Sequence, residues 1–269
     1  MNPGNGPVPA TRAAKGQPIV VVRRAVVEGH AADAPRLGGR ALWRSRRPRA
    51  AAALGAYGFD TTERVVAITY DDGPHPEHTP RVLDVLARRG VRATFFTIGA
   101  SVRPHPELVR RIVAEGHALG LHGADHRPLP GRDVREVRAT VLGARDELED
   151  VAQQRITMFR PPYGLMTRRQ GLALWRAGLD PVVWSGDAGD WTDRPVDDVV
   201  SDARRSVFPG AMLLLHDNRA DPETLGAEEA LPAFDKGLVL DRLLDRLERD
   251  GYRTRTVPEL LAEHPRVVA

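Results

Sequence analysis

Side chains that can bind a metal or move a proton recur in five short segments, and each segment follows an apolar run of the sequence. The segments contain Asp71 and Asp72, His122 and His126, Arg160, Asp187 and Asp190, and His216 and Asp217. Carboxylates and imidazoles are common ligands of divalent metals, and both also serve as general acids and bases. Because the sequence contains no cysteine, any metal must be held by His, Asp or Glu. These segments therefore predict metal-assisted or acid–base chemistry.

Asp71 and Asp72 are adjacent carboxylates that leave an apolar stretch and enter the turn-forming pair Gly73 and Pro74. Neighbouring residues of a strand point to opposite sides, so at a strand end one carboxylate can bind a metal while the other acts on water. The same residue types also form ordinary solvated turns. This segment alone therefore leaves both interpretations open.

His122 and His126 are four residues apart, and two imidazoles at that spacing can share a metal if the segment is helical or tightly looped. The spacing is similar to the zincin His-Glu-x-x-His pattern, but Gly123 stands where that pattern needs its glutamate, which argues against this class. Two surface histidines remain the alternative. With Asp72 as third ligand, the set suits a catalytic divalent metal, zinc first and cobalt, nickel or iron as alternatives.

From residue 64 onward, short apolar strands alternate with amphipathic helices, which is typical of a parallel sheet covered by helices. Seven strands are predicted at 65–69, 93–98, 117–121, 158–159, 181–184, 211–215 and 252–256. Helices are predicted at 80–89, 106–115, 133–151, 167–177, 196–207 and 238–249. The count favours a small or incomplete βα barrel, whose carboxyl strand ends converge on one face and would bring the five segments together.

Composition separates the chain at about residue 60. Residues 1–60 are rich in Ala, Arg, Pro and Gly and carry a formal charge of +7, so 61–269 carries −4 of the total +3. We predict a weakly ordered extension at 1–60 and one catalytic domain at 61–269. Basic residues are not interleaved with aromatics, which argues against nucleic-acid binding. No apolar run approaches the ~20 residues of a membrane span. None forms a signal-peptide core either, so the sequence as written predicts either a protein that stays inside the cell or a different true start of the chain.

Five motifs in order over residues 65 to about 260 resemble those of the polysaccharide deacetylases, the NodB-like and chitin deacetylase group called carbohydrate esterase family four. They are Thr69-Tyr70-Asp71-Asp72-Gly73-Pro74, the 122–126 segment, Arg160-Pro161-Pro162-Tyr163-Gly164, Asp187-Ala188-Gly189-Asp190-Trp191 and Leu213-Leu214-Leu215-His216-Asp217. The resemblance implies an α/β fold, an incomplete (distorted) (β/α)7 barrel of the NodB homology type. It also implies a usual location outside the cytoplasm, in contrast to the missing export signal.

The resemblance further implies a role for each matching residue. Asp71 would be the general base held ionised by Arg160, and His216 the general acid whose pKa Asp190 raises. The backbone N–H of Tyr163 would stabilise the oxyanion. The implied metal ligands are Asp72, His122 and His126, for one divalent ion, most simply zinc with cobalt or nickel possible. The implied substrate contacts are Pro161, Tyr163, Trp191 and Leu214.

The implied reaction is removal of N-acetyl groups from an amino-sugar polymer or oligomer of the chitooligosaccharide or peptidoglycan type. Alternatives are hydrolysis of O-acetyl esters, hydrolysis of a small amide or formamide, and an inactive barrel that binds carbohydrate. A glycosidase fits less well, because it needs two carboxylates flanking a bond and no metal-binding histidines. The glycan and the oligomeric state stay open.

Two positions depart from the family pattern. Gly123 replaces the usual Ser or Thr, which removes a hydroxyl from the metal surroundings, and Arg127 replaces the usual Pro and adds a charge next to His126. The acidic tract 218–232 is longer than a catalytic loop requires, so it could shape specificity or be mobile.

Overall fold

The computed structural model describes residues 20–21, 43–44 and 53–268. They form an α/β fold with a single sheet of 12 strands. The strands are β1 Val20–Val21, β2 Trp43–Arg44, β3 Ala56–Phe59, β4 Val65–Asp71, β5 Thr94–Thr97, β6 Ala118–Leu121, β7 Met158–Phe159, β8 Asp180–Pro181, β9 Gly186–Asp187, β10 Ala211–His216, β11 Arg253–Arg255 and β12 Arg266–Val268. The helices are α1 His78–Arg89, α2 Gly99–Val102, α3 Pro106–Ala114, α4 Val134–Ala152, α5 Arg168–Arg176, α6 Val196–Arg205, α7 Lys236–Arg249 and α8 Val257–Glu263.

Strands β4 to β11 pair with one another in parallel, and β4 lies at the centre of this arrangement. It pairs with β10 from Val66 to Asp71, with β5 at its end and with β11 at its start. Strands β5 to β8 then follow in order. The resemblance to an incomplete, distorted (β/α)7 barrel is confirmed by this topology.

Alternate residues of β4 belong to two different apolar clusters, as the two-residue period of a strand requires. Val66 and Ile68 pack in the larger cluster with apolar side chains of the surrounding helices. Val65 and Ala67 pack in a smaller inner cluster that α8 closes from below. Since Asp71 shares its parity with Val65, the strand aims this carboxylate to the inner side of the barrel. The same rule aims Leu214 and His216 of β10 inward.

Helix ends follow the local sequence. Helix α1 stops at Gly90, which adopts a left-handed conformation with φ 64° that costs glycine little. Helices α5 and α8 each begin with a capping box. The hydroxyl of Thr167 or Thr256 accepts a hydrogen bond from the backbone N–H three residues later. These boundaries match the predicted helices to within a few residues.

The predicted strand 181–184 is wrong in extent. Of this range only Pro181 belongs to a strand, as the last residue of β8, and the next strand, β9, begins beyond the range at Gly186. Val182 instead forms a single parallel bridge with Ala56 of β3.

Besides β9, four of the described strands were not predicted, namely β1, β2, β3 and β12. Strand β3 pairs antiparallel with β10 and β12 at the side of the parallel strands. Within the predicted extension 1–60, the structure thus gives residues 56–59 an ordered place in the sheet, and β12 also pairs with β1. Most of that extension lies outside the described residues. Among the described helices, none is long and apolar enough to cross a bilayer.

Candidate active site

The five polar segments meet at the carboxyl ends of the parallel strands, as the barrel geometry predicts. A cavity of about 280 Å³ opens there. The predicted site residues that line it are Asp71, Asp72, His122, His126, Tyr163, Trp191, Leu214 and His216. Arg160 and Asp190 are buried behind this lining, and Pro161 is not part of it. The structure therefore brings ten of the predicted residues into one site and leaves Pro161 outside the cavity wall.

Asp72, His122 and His126 offer three ligand atoms that lie within 4.8 Å of one another. Asp72 adopts a left-handed conformation with φ 74°, which turns its carboxylate away from the direction that Asp71 takes. Its Oδ1 lies 3.4 Å from His122 Nε2 and 3.6 Å from His126 Nε2. That oxygen is buried and has no hydrogen-bond partner among the described residues. A cation between the three groups would satisfy it.

Each histidine uses its other ring nitrogen to fix its orientation. His122 Nδ1 lies 2.9 Å from the carbonyl oxygen of Arg160, and His126 Nδ1 lies 3.0 Å from Asp221 Oδ2. Since both partners are acceptors, each Nδ1 carries the proton and each Nε2 is left with a lone pair. Two imidazoles in this state can coordinate a metal.

The charges in the cluster shift the pKa values of its members. Burial alone would raise the pKa of Asp72, but the nearby imidazoles of His122, His216 and His126 hold it below its usual range. Burial alone would lower the pKa of His122, but the carboxylates of Asp71 and Asp72 raise it. Without a metal, His122 therefore binds a proton more readily, and a metal ion would have to displace that proton.

Asp71 is paired with a fully buried arginine. Arg160 Nη1 donates to Asp71 Oδ1 at 2.7 Å and to Thr69 Oγ1 at 2.8 Å, and Nη2 donates to the carbonyl oxygen of Val183 at 2.8 Å. The guanidinium also lies 4.0 Å above the ring of Phe96. One carboxylate oxygen of Asp71 is thus held in place, while Oδ2 lies 3.8 Å from His122 Nε2 beside the candidate metal position.

His216 and Asp190 form the second catalytic pair that the resemblance implied. His216 Nδ1 lies 2.8 Å from Asp190 Oδ1, and the His216 backbone N–H donates to Asp190 Oδ2 at 2.9 Å. Burial would lower the pKa of His216, but Asp190, with Asp72 and Asp71, raises it to about 9. The imidazole is therefore protonated at neutral pH.

Lys236 supports this pair from the buried side, and sequence reasoning missed it. Its Nζ donates to the carbonyl oxygen of Asp190 at 2.5 Å and lies 3.1 Å from Asp190 Oδ2. Burial would raise the pKa of Asp190, but Lys236 and His216 lower it, so the carboxylate stays ionised. A lysine at the start of an amphipathic helix looks like any surface residue in the sequence, so only its burial reveals this role.

Aromatic side chains form the outer wall. Tyr163 has φ 57° and is 40% exposed, and Trp191 is 37% exposed. Trp184 lines both this cavity and an adjoining one of about 640 Å³. The two cavities share Tyr163, Trp184, Asp187 and Trp191, so they adjoin along this aromatic wall.

The two departures from the family motif have local explanations. Gly123 has φ 111°, and a Cβ there would come within 2.9 Å of the Asp125 carbonyl oxygen, so the backbone favours glycine. Arg127 is exposed and pairs with Asp125, with Nη2 at 2.6 Å from Oδ2. Its charge is therefore largely balanced next to His126.

Asp221 is the other residue that sequence reasoning missed, although it lies in the acidic tract noted above. It is 7% exposed and contacts both His126 and Tyr163. The acidic composition of the tract was the only signal, because the contact spans 95 residues of sequence.

Known proteins are similar to this chain in sequence and in fold. A family model described as polysaccharide deacetylase matches residues 59–182. A chitooligosaccharide deacetylase of Bradyrhizobium is 38% identical over 76% of this chain and 94% of its own length. A peptidoglycan-N-acetylglucosamine deacetylase of Bacillus cereus is 33% identical over 74% of this chain and 89% of its own. The structure of peptidoglycan deacetylase PdaC from Bacillus subtilis superposes with a TM-score of 0.63 at 29% identity, covering 74% of this chain and 90% of that one. The chain therefore belongs to the polysaccharide deacetylase family.

Proposed function

We propose that this chain is a metal-dependent hydrolase that removes N-acetyl groups from an amino-sugar polymer or oligomer of the chitooligosaccharide or peptidoglycan type. One observation carries the proposal. A three-ligand cluster, a carboxylate held by a buried arginine and an imidazole held by a buried carboxylate all face the same cavity. Amide hydrolysis needs an electrophilic centre, a base and an acid, and these three groups correspond to them.

Asp72, His122 and His126 would hold one divalent ion, most simply zinc. Two nitrogen donors and one oxygen donor with open positions are typical of catalytic zinc sites, and the unpaired Oδ1 of Asp72 supports this assignment. Cobalt or nickel would suit the same donors. When bound, such an ion supplies Lewis-acid polarisation of the acetyl carbonyl and makes a water molecule more acidic.

Asp71 would act as the general base. Its carboxylate takes a proton from the attacking water as the oxygen adds to the acetyl carbon. Arg160 holds one oxygen of Asp71 in a charge-assisted hydrogen bond, which fixes the direction of the carboxylate. The backbone N–H of Tyr163 would stabilise the negative charge that develops on the carbonyl oxygen.

His216 would act as the general acid. The carbon–nitrogen bond breaks as His216 gives its Nε2 proton to the departing amine, which leaves acetate and a free amino sugar. Asp190 holds the opposite ring nitrogen and raises the pKa of His216, so the proton is available at neutral pH.

The shape of the cavity supports a glycan over a small amide. A small amide or formamide would favour a closed pocket, whereas this cavity adjoins a larger one, and the exposed side chains of Tyr163 and Trp191 line both. Exposed rings are suitable surfaces for sugar stacking. The named relatives are N-deacetylases, which supports amide over ester hydrolysis. An inactive barrel would lack part of the base, ligand or acid set, and each of these residues is present here.

Acetate release tests the proposal. The chelated protein is assayed on chitotetraose, on peptidoglycan glycan fragments, on acetylxylan and on a small formamide, before and after zinc or cobalt is restored, and formate is measured in place of acetate for the formamide. We expect release from the amino-sugar glycans that disappears on chelation and returns with metal. Release from formamide alone would contradict the proposal and favour the small-amide alternative.

A further inference from the structure

Asp221 connects the candidate metal cluster to the aromatic wall through a single carboxylate. Its Oδ2 lies 3.0 Å from His126 Nδ1 and accepts a hydrogen bond from the Tyr163 hydroxyl at 2.5 Å. The rings of His126 and Tyr163 lie 4.3 Å apart, so the carboxylate joins two side chains that already pack together. Its other oxygen is 3.3 Å from Arg219 Nε, which balances its charge.

The segment that carries Asp221 is fastened at both sides of the site. We call residues 218–224 the strap. The Ala220 N–H donates to Asp72 Oδ2 at 3.1 Å, and Asn218 Nδ2 donates to the Asp72 carbonyl oxygen at 3.3 Å. On the other side, Arg219 Nη1 donates to the Trp191 carbonyl oxygen at 3.0 Å. The strap is therefore built into the site and does not merely pass over it.

The two candidate histidine ligands differ in how they are supported. His122 is oriented by a backbone carbonyl, which no substitution can remove. His126 is less buried, and its Nδ1 partner among the described residues is the side chain of Asp221. A carboxylate on the remote nitrogen of a ligating histidine fixes the tautomer and ring direction and makes the ligand more basic. Gly123 has no side-chain hydroxyl that could form a further hydrogen bond within the 122–126 segment.

The same carboxylate also restrains Tyr163. The hydrogen bond from the Tyr163 hydroxyl to Asp221 fixes the side chain of Tyr163. The backbone of Tyr163 has φ 57°, and its N–H is the proposed donor to the oxyanion. A change in Asp221 would thus alter two groups that act on the same carbonyl oxygen.

We infer that Asp221 is a positioning residue that sets His126 for metal binding and Tyr163 for the substrate at the same time. The inference rests on the proposed function, because that function makes His126 a metal ligand and the Tyr163 N–H the donor to the oxyanion. Asp221 bonds His126 at Nδ1, the ring nitrogen opposite the candidate ligand atom, and Tyr163 at its hydroxyl, so it acts through these two neighbours.

Metal affinity measured without substrate tests the first half. The full chain and the variants Asp221→Ala and Asp221→Asn compete for zinc with a chromogenic chelator, and circular dichroism of the chelated proteins verifies folding. We expect Asp221→Ala to weaken zinc binding ~10–100-fold. Asp221→Asn should lose less, because its amide oxygen can still accept from one neighbour. Glu228→Gln is the matched control, since it removes one exposed negative charge from the same tract and should bind zinc like the parent.

Steady-state kinetics at saturating zinc test the second half. Tyr163→Phe should leave zinc affinity unchanged and lower kcat, whereas Asp221→Ala should lower both. Parent-like zinc affinity in a folded Asp221→Ala would overturn the inference. A parent that binds zinc but releases no acetate from any glycan would instead defeat the proposed function, while the affinity comparison would still decide the role of Asp221.

Discussion

Asp71 and Asp72 are neighbours in sequence, yet their side chains belong to different parts of the site. Asp71 ends β4 and keeps the inward direction that the strand alternation gives it, where Arg160 binds it. Asp72 leaves the strand with φ 74°, a conformation that a non-glycine residue adopts rarely. Such a conformation costs on the order of 1 kcal/mol, and the anchoring of Asp72 by the strap helps to hold it. The sequence predicted that the two carboxylates would differ, but the left-handed turn was not predictable from it.

His216 provides a prediction about pH. The general acid must be protonated, so kcat falls as the pH rises through the pKa of His216, which Asp190 raises. Replacing Asp190 by Asn removes the main cause of that increase. We therefore expect the alkaline limb of the kcat profile to move to lower pH, by ~1–3 units.

The measurement is kcat against pH for the zinc-loaded parent, Asp190→Asn and the control Asp198→Asn. Asp198 is exposed on α6, so its variant should follow the parent. An alkaline limb that stays in place in Asp190→Asn, in an enzyme that still turns over, would show that His216 is not the acid that limits the profile.

At the scale of elements, the longest strands were the most predictable. Strands β4 and β10 are continuous apolar runs buried on both sides, and their predicted positions are confirmed. The fifth strand and the short strands β3 and β12 were not, because two to four residues carry little periodicity. The strap escaped prediction for another reason. Its structure depends on side-chain bonds to Asp72 and His126, which are far away in sequence.

Strand β6 packs so closely on β5 that one added methyl group should disturb both. A Cβ at Gly120 would lie 2.5 Å from the ring of Phe96, the same ring that supports the Arg160 guanidinium. Gly120→Ala should therefore lower the free energy of unfolding by ~1–3 kcal/mol through overpacking. It should also lower kcat, since Arg160 holds Asp71.

Urea unfolding and acetate release measure these two effects. Gly143→Ala is the matched control, because Gly143 is exposed in the middle of α4 and a Cβ there meets nothing within 4 Å. Removing a helical glycine should stabilise the protein by up to ~1 kcal/mol. If Gly120→Ala were as stable as Gly143→Ala, the close packing of Phe96 on Gly120 would be refuted.

At the scale of the whole molecule, the barrel brings together residues that are far apart in sequence, such as Ala220 and Asp72, which are 148 positions apart. The candidate ligands follow β4 and β6, and the strap that holds them follows β10. A metal bound only by the folded protein stabilises it by an amount that grows with the logarithm of the free metal concentration relative to the Kd, ~2.7 kcal/mol at a hundred times the Kd. For a domain of this size that corresponds to an increase in Tm of ~5–10 °C.

Thermal unfolding of the chelated protein, with and without restored zinc, tests this linkage. The parent should show the increase in Tm, and Asp72→Asn should lose most of it while the chelated variant still unfolds cooperatively. An equal increase in Asp72→Asn would place the stabilising metal elsewhere in the chain.

The central claim is that Asp72, His122 and His126 hold the metal while Asp71 moves the proton. The most direct test measures bound zinc and acetate release from chitotetraose in the same preparations of the parent and Asp71→Asn. We predict one equivalent of zinc in both proteins and a kcat ~10²–10⁴-fold lower in Asp71→Asn. A folded, zinc-loaded Asp71→Asn that releases acetate as fast as the parent would contradict the claim.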